Sequence, residues 1–192
     1  MESPEDRLRC AEVFKHVQQC LTRLDLRFGV NHEPVNHCYF SLDWVKIVID
    51  VGPRGDNIVV YSILAEKIPE DRRREVALLL AKLNFQMDLG TLQQDMSDGE
   101  VRFKVSTAWG SGRRPDLFQT IRTAISVGMG TFRSRAAPIF NAGGVPVPEY
   151  LLESEQVRAC RRMFWVVCSG AVRKPHQIGW YNLCNRMLPC QR

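Results

Sequence analysis

Residues 78–106 read LLLAKLNFQMDLGTLQQDMSDGEVRFKVS, and this stretch decides the fold because its hydrophobic period changes twice. Its first part continues an apolar helix face formed by Val76, Leu79, Leu80 and Leu83. Asn84 follows this face, and asparagine tolerates the left-handed conformation that ends many helices. The pattern therefore predicts a helix that ends at Asn84 with a left-handed cap.

The second part of the stretch alternates with the period of a β-strand. One face of a first strand carries Leu92, Gln94 and Met96, and one face of a second carries Val101, Phe103 and Val105. Ser97-Asp98-Gly99 lies between them, and Asp-Gly accepts the positive φ of a tight turn. The alternation before Gly90 is out of phase with that after it, so we expect a glycine kink or bulge there. This part predicts a hairpin.

The same stretch resembles the YbjN family, through Leu83-Asn84-Phe85, Leu89-Gly90, Asp95 and the run Asp98-Gly99-Glu100-Val101-Arg102-Phe103. The fold of that family is similar to the fold of type III secretion chaperones. By the order of its elements, the resemblance covers roughly residues 5–156. It implies a homodimer, or a subunit of a larger assembly, that holds extended partner segments against apolar surface. It implies no reaction.

The sequence before this stretch predicts a helix and then strands. Ser3 can cap the first helix, and Gly29 is the latest residue at which that helix can end. Alternating apolar residues predict strands over Val45–Val51 and Ile58–Leu64, and Cys38–Leu42 is a candidate for a third. These strands precede the helix that ends at Asn84.

A third helix follows the hairpin, because Pro115-Asp116 is a typical helix start and Pro138 is expected to end the helix. The predicted order is thus α-β-β-(β)-α-β-β-α. Strands that cluster between helices, rather than alternating with them strictly, favour an α+β fold. We expect an antiparallel sheet packed by three helices, which is also the type III secretion chaperone-like order that the resemblance implies.

Length and charge divide the chain of 192 residues into two parts. We predict a YbjN-like α+β domain over residues 1–156, with residues 143–148 as a linker, and a C-terminal extension over residues 157–192 that is rich in cysteine and aromatic residues. Residues 1–150 carry 19 basic and 19 acidic residues, whereas residues 151–192 carry 7 basic and 2 acidic ones. The domain is neutral and the extension is basic.

Cysteine usage indicates the compartment. The 7 cysteines are odd in number and form no Cys-x-x-Cys motif, so they do not resemble a secreted disulfide framework. The acidic N-terminus lacks the apolar core of a signal peptide, and no apolar run is long enough to span a bilayer. We expect the cytoplasm or another reducing compartment, including an organelle stroma if a targeting segment is missing.

The loop of residues 110–115, GSGRRP, is the candidate anion site, because it lies between a strand and a helix start. Its candidate contacts are Gly110, Gly112, Arg113 and Arg114. The full dinucleotide fingerprint and the phosphate-loop motif are both absent from the sequence. An ordinary connecting loop is the favoured interpretation, and a small-ligand or anion sensor is the alternative.

Catalytic and metal-binding patterns are weak in this sequence. His16 and Cys20 are four residues apart on the first helix, but two ligands do not make a metal site. No nucleophile lies in a recognisable motif with a base and an orienting acid. We therefore predict a protein that is not an enzyme and has no cofactor.

The remaining hypothesis is a non-enzymatic protein-binding module, chaperone-like or regulatory, that contacts its partner through the sheet face or an edge. We expect Tyr39, Trp44 and Tyr61 to lie outward near edges, although each would also suit the core. Arg102 and Lys104 are expected on the face opposite the helices. A nucleic-acid-binding protein is the alternative, because Arg158–Cys168 joins basic to aromatic residues in the extension.

Overall fold

The computed structural model describes residues 3–33, 36–109 and 116–148. They contain three α-helices and one antiparallel six-stranded sheet, with the strand order β1-β2-β3-β4-β6-β5. The helices are α1 Pro4–Arg23, α2 Arg73–Asn84 and α3 Leu117–Ala142, and a 3-10 turn, Glu70–Arg72, precedes α2. The strands are β1 Gly29–Asn31, β2 His37–Leu42, β3 Val45–Val51, β4 Asn57–Leu64, β5 Thr91–Gln94 and β6 Val101–Ala108. The predicted α+β class is confirmed.

Capping side chains define where α1 and α3 begin. The Ser3 side chain accepts a hydrogen bond from the Asp6 amide, and the Asp6 carboxylate accepts one from the Ser3 amide. Asp116 caps α3 by accepting the amides of Phe118 and Gln119, at 2.9 and 3.3 Å. These bonds satisfy amide groups that have no partner within a helix.

Four strands, rather than two or three, precede α2. The candidate strand at Cys38–Leu42 exists as β2, and β1 pairs with it through Gly29 opposite Tyr39. The sequence did not indicate β1, because its three residues are too few to show a period of two. The first helix also ends at Arg23, well before Gly29.

The register of the sheet puts one set of side chains under the helices. Alternate residues of β3, β4 and β6 face the helices, with Ile47 opposite Ser62 and Ser62 opposite Phe103. Together with the inner sides of α1, α2 and α3 they form one core. Its largest fully buried side chains include Phe103, Phe132, Phe140, Leu21, Ile47 and Ile49.

The predicted end of α2 and the predicted hairpin are both present. Asn84 is the last residue of α2, but it does not have positive φ, so the predicted left-handed cap is wrong. Its side chain instead bonds the Leu92 backbone. The first strand of the hairpin is shorter than expected, because it ends at Gln94 and Met96 lies in the connecting turn, where it is 53% exposed.

Two glycines give this stretch its shape. Gly90 has φ +78 and lies against the Phe103 ring, where a Cβ would collide with the ring, so the predicted kink is confirmed. Gly99 has φ +82 in the turn between β5 and β6. Its amide donates to the Asp95 carbonyl at 2.8 Å, and its carbonyl accepts the Ile68 amide at 2.9 Å. The turn is therefore fixed to the segment before α2.

Pro138 does not end α3, contrary to the prediction, because the helix continues to Ala142. A proline inside a helix costs about 3 kcal/mol through its missing N–H and its ring. The next two residues, Ile139 and Phe140, are fully buried, whereas Pro138 is exposed. Burial of two large side chains offsets that cost.

Residues 143–148, predicted as a linker, return to the domain instead. Val145 and Val147 are partly buried and pack against the core. The helical turn expected over Tyr150–Glu155 lies outside the described residues. The boundary at residue 156 and the extension over residues 157–192 stay predictions.

Candidate partner-binding face

One face of the sheet has no described helix on it, and we call it the open face. It is formed by the strand residues that alternate with the buried residues under the helices. The pairings of β2, β3, β4, β6 and β5 show which of these residues are neighbours. Its apolar members are Tyr39, Val48, Val59, Tyr61 and Ile63. Its charged members are Lys46, Asp50, Arg102 and Lys104.

A row of side chains crosses the middle of the open face. Tyr39 pairs with Val48, Val48 with Tyr61, and Tyr61 with Lys104, on four neighbouring strands. Neighbouring strands lie about 4.8 Å apart, so these side chains are contiguous. Tyr39 is 43% exposed, and Val48 and Tyr61 are half-buried. The row offers an aromatic and β-branched surface to a partner.

Arg102 is fixed beside this row by three contacts. Its guanidinium carbon lies 5.1 Å from the centre of the Tyr61 ring, which is a cation–π distance. Its Nη1 lies 3.6 Å from the Glu100 carboxylate, and its Nε donates to Gln93 Oε1 at 3.2 Å. The side chain is therefore ordered before any partner binds, which lowers the entropic cost of using it.

Asp50 is a carboxylate on the open face whose pKa is shifted by its surroundings. Burial raises the pKa of Asp50 above its ordinary value, and the nearby His37 and Arg102 oppose that rise. His37 lies directly opposite Asp50 in the register, and its ring centre is 6.0 Å from that of Tyr39. The carboxylate is thus kept at the border of the apolar row at some electrostatic cost.

Lys104 ends the row on β6, and Lys46 lies beside the row, two residues before Val48 on β3. Within the part of the chain that the structure describes, neither lysine forms an ion pair. Arg102, by contrast, is balanced by Glu100. Counting only the described residues, the open face therefore offers two positive charges without an ion-pair partner next to an apolar row.

The two edges of the sheet differ in how they are closed. At the β5 edge, Asn84 Nδ2 donates to the Leu92 carbonyl at 2.9 Å, and the Leu92 amide donates to Asn84 Oδ1 at 2.8 Å. This pair of bonds replaces the pairing that an added strand would make, so it protects the edge. The β1 edge is three residues long, and Val30 on it is 39% exposed.

The structure places the five predicted partner-binding residues in three settings. Tyr39, Arg102 and Lys104 lie on the open face, as expected. Tyr61 also faces outward, but β4 is a central strand, so its expected place near an edge is wrong. Trp44 is on the helix side, because its ring packs 6.2 Å from that of Phe132. Partner binding by these residues stays a prediction.

Sequence reasoning missed Val48, Val59 and Ile63 on the open face, and it missed Asn84 at the β5 edge. A signal was present for Val59 and Ile63, because Ile58–Leu64 is apolar almost throughout, and for Val48, because it alternates with the buried residues of Val45–Val51. A strand with apolar residues on both faces is typical of the middle of a sheet. The bonds of Asn84 to Leu92 have no comparable signal, since they depend on the path of the chain around Gly90.

The other sequence candidates do not form a described site. Gly110, Gly112, Arg113 and Arg114 lie outside the described residues. His16 and Cys20 line a cavity of ≈ 480 Å³ between α1 and the start of α3, and burial raises the pKa of the Cys20 thiol. Across residues 3–33, 36–109 and 116–148, no three metal-binding side chains cluster. None of the helices described has the length and apolar character needed to cross a membrane.

Comparison with known proteins supports the fold. No protein-family model matches the sequence, and no curated protein matches it. The crystal structure of YbjN from E. coli is similar, with a TM-score of 0.50 and 13% sequence identity over 70% of this chain and 95% of that chain. A structure of the HopA1-SchA chaperone-effector complex is also found, with a TM-score of 0.46 and 12% identity over 65% of this chain and 94% of that chain. The chain has a YbjN-like α+β fold, as the motifs in residues 78–106 predicted.

Proposed function

We propose that this protein is a non-enzymatic protein-binding module, chaperone-like or regulatory, whose open face holds an extended partner segment. One observation carries the proposal: the row Tyr39–Val48–Tyr61 lies next to Lys46 and Lys104, which have no ion-pair partner among the described residues. Aromatic side chains with adjacent positive charge are typical of binding surfaces. In this proposal the chain acts as a homodimer or as a subunit of a larger assembly.

The residues of the open face indicate which side chains a partner segment would carry. An extended segment presents alternate residues to the sheet, so apolar residues would lie on the row, with acidic residues placed to reach Lys46 and Lys104. A nucleic acid fits this face less well. Its affinity depends on many clustered positive charges, whereas Asp50 and Glu100 offset part of the charge here. The β5 edge is closed by Asn84, so we propose the face rather than that edge.

Site-specific crosslinking tests the proposal. A photo-crosslinking residue placed at Tyr39, and in a matched variant at Leu8, compares the open face with an α1 position that is 73% exposed. In native extract we expect a protein crosslink from position 39 that is absent from position 8. Tyr61→Ser combined with Lys104→Glu should remove it. Equal crosslinking from both positions would contradict the open face as the binding surface.

Salt dependence separates the protein partner from a nucleic acid. Raising salt from about 50 to about 200 mM should reduce the affinity of a protein partner only modestly, whereas a protein that makes many phosphate contacts loses about a thousandfold or more. Nuclease treatment of the extract should leave the crosslink in place. A crosslink that is lost with nuclease would replace this proposal with the nucleic-acid alternative.

A further inference from the structure

The cavity of ≈ 480 Å³ between α1 and the start of α3 is apart from the open face. Its most buried lining residues are Trp109 and Leu117, which are 9% and 8% exposed and belong to the core. The other lining residues, most of them polar, are His16, Gln19, Cys20, Arg23, Asp116 and Phe118. Small-molecule sites are typically clefts of about 300–1,000 Å³ that combine apolar lining with a few polar groups. The cavity has this size and composition.

Two helices supply the walls of this cavity. One wall is a single side of α1, because its four lining residues occur at i, i+3, i+4 and i+7, namely His16, Gln19, Cys20 and Arg23. The other wall is the first turn of α3, which begins directly after its cap, Asp116. The chain therefore places a positive side chain on one wall and a carboxylate on the other.

Arg23 is held in one orientation by an aromatic contact. Its guanidinium carbon lies 4.1 Å from the centre of the Phe118 ring, which is a cation–π distance. Within residues 3–33, 36–109 and 116–148, this guanidinium forms no ion pair and no hydrogen bond. A guanidinium that stacks on a ring keeps the N–H groups at its edge for hydrogen bonding, and it binds a carboxylate through two parallel bonds. Arg23 is therefore suited to hold a carboxylate.

Asp116 has one carboxylate oxygen left for a ligand. Its Oδ1 accepts the amides of Phe118 and Gln119, whereas its Oδ2 has no hydrogen bond or ion pair to any described residue. Asp116 and Arg23 do not pair with each other, yet both act on the Cys20 thiol. Burial is the main cause of the raised pKa of Cys20, Asp116 raises that pKa further, and Arg23 lowers it. The cavity thus holds two opposite charges that lie near one thiol and remain separate.

We propose that this cavity binds a free amino acid with an apolar side chain, a function beyond protein binding by the open face. The ligand carboxylate lies on Arg23, its ammonium group lies on Asp116 Oδ2, and its side chain packs on Trp109 and Leu117. A zwitterion satisfies both protein charges, whereas a simple carboxylate or a simple amine leaves one of them without a partner. Arg23 and Asp116 are exposed, so water screens both ion pairs and we expect a Kd of about 0.1–1 mM.

Calorimetric titration of the full chain with three related compounds tests the proposal. L-phenylalanine, added to about 10 mM, should bind saturably. Phenylpropionate lacks the ammonium group and phenethylamine lacks the carboxylate, so each should bind about tenfold or more weakly. L-leucine should bind as well, because the cavity lining asks only for an apolar side chain. No binding of either amino acid would overturn the proposal, and equal affinity for L-phenylalanine and phenylpropionate would overturn the role of the ammonium group.

Substitutions test the two charged walls separately. Arg23→Gln should weaken binding of L-phenylalanine about tenfold or more, because the carboxylate loses its partner. Asp116→Asn keeps the α3 cap, since asparagine caps helices as well as aspartate does, and it should abolish the preference for L-phenylalanine over phenylpropionate. The matched control is Arg27→Gln, which removes an exposed arginine outside the cavity and should leave the affinity unchanged. Unchanged binding by a folded Arg23→Gln chain would contradict the proposed site.

Alkylation of Cys20 locates the bound amino acid and separates this site from the open face. The thiol is half-buried in the cavity lining, so saturating L-phenylalanine should slow its reaction with iodoacetamide several-fold, as measured by peptide mass spectrometry. An unchanged rate at Cys20 would place the ligand elsewhere and overturn the proposal. Arg23→Gln should leave the crosslink from position 39 in place, and Tyr61→Ser should leave amino-acid binding in place, so either proposal can fail alone.

Discussion

The two faces of the sheet are built from the same strands, yet they carry different chemistry. Along β6, Phe103 is fully buried under the helices, whereas its neighbour Lys104 lies on the open face without an ion-pair partner in the described part of the chain. Along β3, Ile47 and Ile49 are fully buried, whereas Val48 between them is half-buried. The covered face accounts for folding. The open face is more apolar than solvation alone requires, and this excess is what suggests binding.

The largest test of this comparison uses neighbouring residues on β6. Phe103→Ala should lower the free energy of unfolding by about 3–5 kcal/mol, because it removes a fully buried ring from the core. Lys104→Ala should change it by less than about 0.5 kcal/mol, as an exposed substitution usually does. Urea denaturation measures both, and Lys104→Ala should weaken the crosslink from position 39 instead. Comparable losses of stability would mean that both faces serve folding.

The next test concerns the turn between β5 and β6, which fixes the register of these strands and therefore which of their residues lie on each face. Gly99→Val should cost about 2–3 kcal/mol, because valine is strained at positive φ and its Cβ would collide with the Ile68 carbonyl. Asp98→Asn is the matched control. The new side chain can still accept the Glu100 amide, and only an exposed ion pair with Lys67 is lost, so we expect less than about 1 kcal/mol. Equal losses would contradict the tight turn.

The sequence predicted the covered face better than the open one, for a physical reason. Burial under helices demands apolar residues at every second position, so the run from Val45 to Val51 determined the strand and which of its sides faces the core. Trp44 was placed wrongly because it precedes β3, where alternation no longer assigns a side. Pro138 was wrongly predicted to end α3, because a proline disfavours the helix locally. The burial of Ile139 and Phe140 in the core outweighs that local cost, and it depends on tertiary packing that the sequence does not show.

The open face could be predicted only in part. Arg102 and Lys104 were placed correctly, because they alternate with three core residues on β6. The row Tyr39–Val48–Tyr61 could not be read from the sequence, since it depends on which strands are neighbours and on their register. A single sequence does not show which distant strands pair, whereas it does show the alternation of apolar and polar residues within each strand.

The smallest expected effect comes from Asp50, the carboxylate beside the apolar row. Burial raises its pKa in the folded chain, so at neutral pH the folded state holds a charge that it disfavours. Stability attributable to Asp50 is complete below the ordinary value of 3.8 and is lost as pH rises through the raised value. Asp50→Asn should therefore raise Tm slightly near neutral pH. The gain should vanish below the ordinary value, where Asp50 is neutral in both states.

Differential scanning calorimetry across that pH range measures the effect, with Glu12→Gln on the exposed side of α1 as the control. The control should show no comparable gain. A lower Tm for Asp50→Asn at neutral pH would mean that His37 and Arg102 outweigh burial, and Asp50 would then be an ordinary structural ion-pair partner. A higher Tm means that the chain keeps a carboxylate on the open face at a cost in stability. Such a cost is expected where a surface is shaped for binding rather than for folding.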